Sequence, residues 1–159
     1  AAFHGLADER TPAILVSAGT GLAPFRAVVM ERLHRRARGT LLCYFGCDAP
    51  DLDYLHRAEL EEAEAAGVVS LRPTFSEAPE NGLRYVQDRL LREADEVWRV
   101  LEDGGRVYVC GDGSRMAPAV RAALARVHGE RTGADRAASE AWLEDLRVAE
   151  RYNEDVWEG

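Results

Sequence analysis

Apolar positions change their period along this chain, and the changes mark alternating strands and helices. Ala13-Ile14-Leu15-Val16 is a short apolar run that ends at the turn Ser17-Ala18-Gly19-Thr20-Gly21. From about Ala23 to Arg38, Phe25, Val28, Val29 and Leu33 recur at helical spacing. Pro24 is tolerated there, because the first turn of a helix has no use for its missing N–H. Leu41 to Gly46 predicts a second strand, and Asp51 to Ala65 a helix closed by Gly67. Val68-Val69-Ser70-Leu71 predicts a third strand, and Thr74 to Leu83, with Pro79, Asn81 and Gly82, a loop. Helical pattern resumes near Arg84 and runs, with or without a break, to Leu101. A fourth strand, Arg106-Val107-Tyr108-Val109-Cys110, leads into the turn Gly111-Asp112-Gly113-Ser114. Helices are expected from about Ala117 to Glu130 and from Asp135 to Ala149, the latter with Ala138, Trp142, Leu143 and Leu146 on one face.

Strands that are nearly continuous apolar runs, alternating with helices, indicate a parallel sheet covered on both faces. Right-handed crossovers make the doubly wound nucleotide-binding fold the expected arrangement. At 159 residues the chain is long enough for one compact domain. No apolar run approaches the roughly 18 residues needed to span a bilayer. The first twelve residues lack a charged segment followed by an apolar one, as a signal peptide requires. The absence of an initiator Met makes a piece of a longer polypeptide the expectation, with residues 1–12 a linker and 13–159 the domain.

Charge narrows the chemistry. The net charge is −8, which disfavours nucleic-acid binding through phosphates. All twenty basic residues are Arg, so any anion site must be built from Arg and backbone amides. The three cysteines Cys43, Cys47 and Cys110 fit a reducing, cytoplasmic setting better than a disulfide scaffold. Cys43 and Cys47 share a predicted strand but have no nearby Cys or His pair to complete a metal site.

Ligands of a doubly wound sheet bind at the carboxyl ends of its strands, near the point where strand order reverses. Gly19-Thr20-Gly21 lies at such an end. Glycines there let the backbone approach a pyrophosphate in front of the next helix, although the same residues serve an ordinary tight turn. Cys110-Gly111-Asp112-Gly113-Ser114 lies at another, where spacing alone favours a buried Cys with a capping Asp or Ser over a ligand site. The third is the loop Thr74 to Tyr85, where a Ser, an Arg and a Tyr cluster. Trp157, near the chain end, is either a packing anchor or a ring that stacks on a flat cofactor.

Together these segments resemble the C-terminal domain of the diflavin reductases, a branch of the ferredoxin–NADP reductase superfamily that includes NADPH–cytochrome P-450 reductase. The resemblance covers nearly the whole chain. It is strongest to the reductase end of bacterial self-sufficient fatty-acid hydroxylases, in which a haem monooxygenase is fused to its reductase. It is carried by Gly19-Thr20-Gly21-Leu22-Ala23-Pro24-Phe25-Arg26, Tyr44-Phe45-Gly46-Cys47, Asp53-Tyr54-Leu55, Thr74-Phe75-Ser76, Tyr85-Val86-Gln87, Tyr108-Val109-Cys110-Gly111-Asp112, Met116-Ala117, Arg151-Tyr152 and Asp155-Val156-Trp157. It implies a mostly parallel, five-stranded Rossmann-like sheet with helices on both faces. It further implies that the domain presents NADP or NAD to FAD held on a separate FAD-binding domain. Electrons would pass on to an FMN domain and a haem domain of the same polypeptide, with no nucleic acid or membrane involved. Other acceptors of the same fold, of the sulfite reductase or nitric oxide synthase type, and a non-catalytic nucleotide-binding module remain alternatives.

The resemblance also implies roles. Gly19, Thr20 and Gly21 would cradle the pyrophosphate with Arg26 behind them, and Gly111 and Asp112 would complete the nucleotide site. Tyr85 would flank the adenine end, with Ser76 and Gln87 as polar partners near the 2′ position. Cys110 would lie beside the nicotinamide, Asp155 would hold the hydrogen-bond geometry there, and Trp157 would cover the flavin ring. One departure concerns the 2′-phosphate. NADPH-using relatives carry an Arg after the Ser of the third loop and a Lys two before the Tyr, where this chain has Glu77 and Leu83. A carboxylate repels a phosphate and accepts from ribose hydroxyls instead, while Arg84 stands beside the vacated Lys position. Relaxed or NADH-leaning specificity follows as an expectation. Replacing Glu77 by Arg should then raise the preference for NADP⁺ over NAD⁺ by about ten- to a hundredfold, the worth of one charge-assisted hydrogen bond. Unchanged selectivity in paired titrations would contradict it.

Overall fold

The structure, a computed structural model, describes residues 10–112 and 114–157. Most of the expected linker (residues 1–9) and Gly113 of the second turn lie outside the described residues. Five strands form one sheet in the order β3-β2-β1-β4-β5, every neighbouring pair parallel. They are β1 (Ala13–Ala18), β2 (Leu41–Cys47), β3 (Ser70–Phe75), β4 (Arg106–Asp112) and β5 (Tyr152–Trp157). The helices are α1 (Leu22–Arg35), α2 (Arg57–Ala65), α3 (Val86–Arg92), α4 (Ala94–Glu102), α5 (Met116–Thr132) and α6 (Arg136–Val148).

Period-two alternation within each strand divides the core in two. Leu15, Cys43, Phe45, Tyr108 and Cys110 pack with Phe25 and Val29 of α1 and Leu60 of α2. Ile14, Val16, Leu42, Tyr44, Val107 and Val109 pack instead with α3 to α6, through Leu90, Val97, Val120 and Leu143. Ile14, Leu15 and Val16 are all fully buried, which explains why β1 reads as a continuous apolar run rather than an alternating one. The chain therefore supplies cover for both faces of its own sheet.

Several boundaries differ from the sequence reading. The helix expected from Asp51 begins only at Arg57. The Asp53 carboxylate accepts from the backbone amides of Asp48 and Ala49, so the preceding residues fold as a turn around it. The third strand starts at Ser70 and continues to Phe75, into the stretch read as loop. β3 pairs only with β2, and an edge strand tolerates Pro73 because one row of its amides needs no partner. The long helix after Arg84 is two helices that break at Glu93. Glu93 accepts from the Tyr44 hydroxyl at 2.7 Å, from Arg72 at 2.9 Å and from Arg89 at 3.1 Å. Burial raises the Glu93 carboxyl, but these donors outweigh it and hold the group below the usual carboxylate range. The segment from Tyr152 to Trp157, which periodicity left unassigned, is a parallel edge strand.

All three cysteines are free and buried. Burial pushes the thiols of Cys43 and Cys47 up to about 12 and that of Cys110 to about 11, with nearby Asp carboxylates adding to the effect at Cys47 and Cys110. A thiol whose folded value is raised stabilises the fold below its unfolded value and loses that contribution as pH rises toward the folded one. Urea midpoints should therefore fall between about pH 9 and pH 11, and the native chain at pH 8 should show almost no fast-reacting thiol in a disulfide-exchange assay. A fast stoichiometric reaction before unfolding would show that one of these thiols is accessible and ionised.

Candidate nucleotide-binding site

Strand order reverses between β1 and β4. β1 is followed by α1 on the way to β2, and the chain returns to the other side of β1 only with β4. The carboxyl ends of these two strands therefore have no crossover helix lying across them, and a crevice opens there. A single 3-10 turn, Gly19–Gly21, carries β1 directly into α1. Gly21 is buried and pressed against the end of β4. A Cβ on it would overlap the carbonyl oxygen of Cys110 and stand 2.8 Å from the carbonyl carbon and 2.9 Å from Gly111 Cα. Gly111 has φ +134°, a backbone conformation that side-chain-bearing residues rarely adopt.

A cleft of about 510 Å³ opens beside this contact. Gly19 and Gly46 form part of its floor, Ser76, Arg84, Tyr85 and Gln87 one wall, and Asp112, Arg115 and Met116 the other. The structure thus gathers Gly19, Ser76, Arg84, Tyr85, Gln87 and Asp112 in one place. Backbone bonds fix the loop that carries them: Ser76 N–H donates to Cys47 O, Glu77 N–H to Asp48 O, and Leu83 N–H to Glu80 O. The Ser76 hydroxyl donates to Asp48 at 3.1 Å, and Arg84 donates to the Ser76 carbonyl at 2.7 Å. Asp88 accepts from the amides of Arg84 and Tyr85, which sets the start of α3 and leaves the Tyr85 ring half exposed. Glu77 is exposed and does not line the cleft.

Cys110, Asp155 and Trp157 do not line the cleft and lie on the sheet face that α1 and α2 cover. The Cys110 side chain belongs to the core under α1 and α2. Asp155 is its register partner on β5, and Trp157 pairs with Asp112 one step further toward the carboxyl end. Parallel pairing with a period of two puts Cys110, Asp155 and Trp157 on the same face. The thiol is fully buried, whereas Trp157 is 45% exposed. Asp112 accepts from the Ser114 hydroxyl and amide, which hold its carboxyl below the usual range.

Arg26 sits elsewhere. It extends toward α2, where its Nε donates to Glu59 at 2.7 Å and the two form an ion pair, and it does not line the cleft. Arg115, which the sequence reading passed over, does line it; the signal was a cation directly after the second glycine turn.

These features fit a dinucleotide. The floor approaches bare backbone, an aromatic face and an Arg stand at the loop wall, and the buried Thr74 hydroxyl beside Gly46 has no hydrogen-bond partner among the described residues. The glycine contact also carries stability. Gly21→Ala should cost about 1–3 kcal/mol, the usual penalty for overpacking, read as a lower urea midpoint together with weakened nucleotide binding. A stable variant with normal binding would show that the turn can retreat from β4.

Residues 15–122 match the family described as oxidoreductase NAD-binding domain. The chain is 39% identical over 156 residues to the bifunctional cytochrome P450/NADPH–P450 reductase 2 of Bacillus subtilis, covering 96% of this chain and 15% of that protein. It is 37% identical over 156 residues to the corresponding bifunctional protein of Bacillus cereus, with the same coverage. To the sulfite reductase [NADPH] flavoprotein alpha-component of Photobacterium profundum it is 38% identical over 151 residues, covering 95% of this chain and 25% of that protein. It therefore spans between 15% and 25% of the length of these relatives. With the family match running from β1 through the first turns of α5, across both glycine turns and the cleft between them, this chain belongs to the oxidoreductase NAD-binding domain family.

Proposed function

We propose that this chain is the nicotinamide-nucleotide-binding part of a flavin-dependent reductase. It positions NAD(P)H for hydride transfer to FAD held on another domain, and electrons then pass through FMN to a haem monooxygenase. The observation that carries the reading is the contact of Gly21 with the end of β4, which brings the Gly19–Gly21 turn against the carboxyl end of β4 beside the cleft.

Gly19, Thr20 and Gly21 hold the pyrophosphate through backbone amides at the start of α1, where the helix dipole favours an anion. Tyr85 offers a ring face to the adenine, with Ser76, Gln87 and Arg84 around the adjoining ribose. When bound, the nicotinamide supplies the hydride. The chain's own residues align it: Cys110 and Asp155 lie paired on β4 and β5, and the Trp157 ring beside them excludes water and occupies the stacking position until the nicotinamide arrives. A raised Cys110 value keeps that group a neutral thiol during turnover, so it adds no charge to the hydride site.

Docking of a flavin domain at this edge agrees with where apolar surface is left open. Among the described residues five large hydrophobic side chains are exposed; Leu52, Leu55, Tyr85 and Trp157 stand on the carboxyl side of the sheet, and Val148 lies elsewhere. A cytoplasmic location belongs to the same reading, supported by three cysteines kept as free thiols. The sulfite reductase relatives favour a second reading, in which the same hydride site feeds a different acceptor. The two differ in the partner that takes electrons from the reassembled reductase.

The test is reconstitution. Mixed with a separately produced FAD-binding domain, the chain should bleach the flavin absorbance on addition of NADPH or NADH, and neither protein alone should do so at a comparable rate. Nucleotide binding without bleaching by either nucleotide would reduce the function to binding.

A further inference from the structure

The chain has no Lys, and the Arg that the resemblance places behind the glycine turn is committed to Glu59. A dinucleotide nevertheless brings a pyrophosphate carrying two negative charges to that turn. Two cations line the cleft, Arg84 and Arg115, on opposite walls. Arg84 belongs to the loop between β3 and α3 and is tied to the Ser76 carbonyl. Arg115 stands between β4 and α5, on the β4 side of the point where strand order reverses, and lines the same cleft as Gly19 of the first glycine turn.

The three cleft carboxylates are held by nearby donors. Asp53 takes the Asp48 and Ala49 amides, Asp48 takes the Ser76 hydroxyl, and Asp112 takes both donors of Ser114. The Arg115 guanidinium, by contrast, is exposed and has no hydrogen-bond or ion-pair partner among the described residues, and its charge helps to hold the nearby Asp112 carboxyl down. An unpaired guanidinium with five donors, on a cleft whose floor is partly the glycine backbone of Gly19 and Gly46, is suited to a phosphate oxygen.

Building on the nucleotide-binding role proposed above, we propose that Arg115 is the cation for the pyrophosphate bridge of the dinucleotide. The work is then divided by position. Arg115 acts on the diphosphate common to NAD⁺ and NADP⁺ and sets affinity for both, while Arg84, on the loop wall, acts on the adenosine 2′ position and sets the choice between them.

Calorimetry on this chain with NAD⁺, NADP⁺, ADP and 2′-AMP tests the division. Arg115→Ala should weaken NAD⁺, NADP⁺ and ADP by a common factor of about ten to a hundred and leave 2′-AMP unchanged, with Arg115→Lys recovering part of the loss. Because Arg115 is exposed, its variants should keep the parent urea midpoint. Loss confined to NADP⁺ and 2′-AMP would move Arg115 to the 2′-phosphate, and unchanged binding of all four would make it a surface charge; either result overturns the proposal. If the parent chain binds the nucleotides and the variant binds them equally, this assignment alone fails. If the parent chain binds none of them, the nucleotide-binding reading fails and this assignment with it.

Discussion

How closely the turn after β1 can approach the end of β4 governs the carboxyl edge of this domain. With Gly21 lying against the Cys110 carbonyl and the Gly111 backbone, α1 begins directly behind the turn and points its amino end at the crevice. A side chain of any size at Gly21 would push α1 away from the sheet, and with it Phe25 and Val29 of the core beneath. Gly111, in its own unusual conformation, carries β4 past this contact toward the turn before α5. Both walls of the cleft are placed by that one approach, since α3 packs against α5 and α5 follows β4.

Much of the architecture was legible in the sequence, and what was not has identifiable causes. Four strands announced themselves because buried parallel strands are apolar on both faces, as Ile14-Leu15-Val16 and Val107-Tyr108-Val109 illustrate. The fifth, Tyr152–Trp157, carries no such run. It is an edge strand in which Tyr152 is buried while Glu154 and Asp155 are exposed, so its membership depends on pairing with β4 rather than on its own composition. The helical pattern leaves a break between Arg84 and Leu101 open, and its place at Glu93 is hidden for a related reason. A Glu in a helical stretch looks ordinary, and its role becomes apparent only when Tyr44 and Arg72 arrive from distant strands.

The site was legible unevenly. Ser76, Arg84, Tyr85 and Gln87 do share a wall of one cleft, because they follow a single strand end into the start of a single helix. Arg26 was legible as to position but not as to partner. Its place on α1 was correct, yet Glu59 lies 33 residues away in sequence and no local pattern links the two. Arg115 escaped attention because its one signal in the sequence, a place directly after the second glycine turn, is shared by ordinary surface Arg residues.

The segment between Ser76 and Tyr85 is held by main-chain bonds, by the carboxylates of Asp48 and Asp88, and by the guanidinium groups of Arg84 and Arg92, which donate to the Ser76 and Asn81 carbonyls. Its side chains at 77 and 83 bear none of that load. The side chains at 77 and 83 are therefore separable from the bonds that hold the loop. Neither position belongs to the buried hydrophobic core, so substitution at 77 or 83 leaves the packing of the sheet untouched, and this loop can change its chemistry over evolutionary time faster than the fold beneath it.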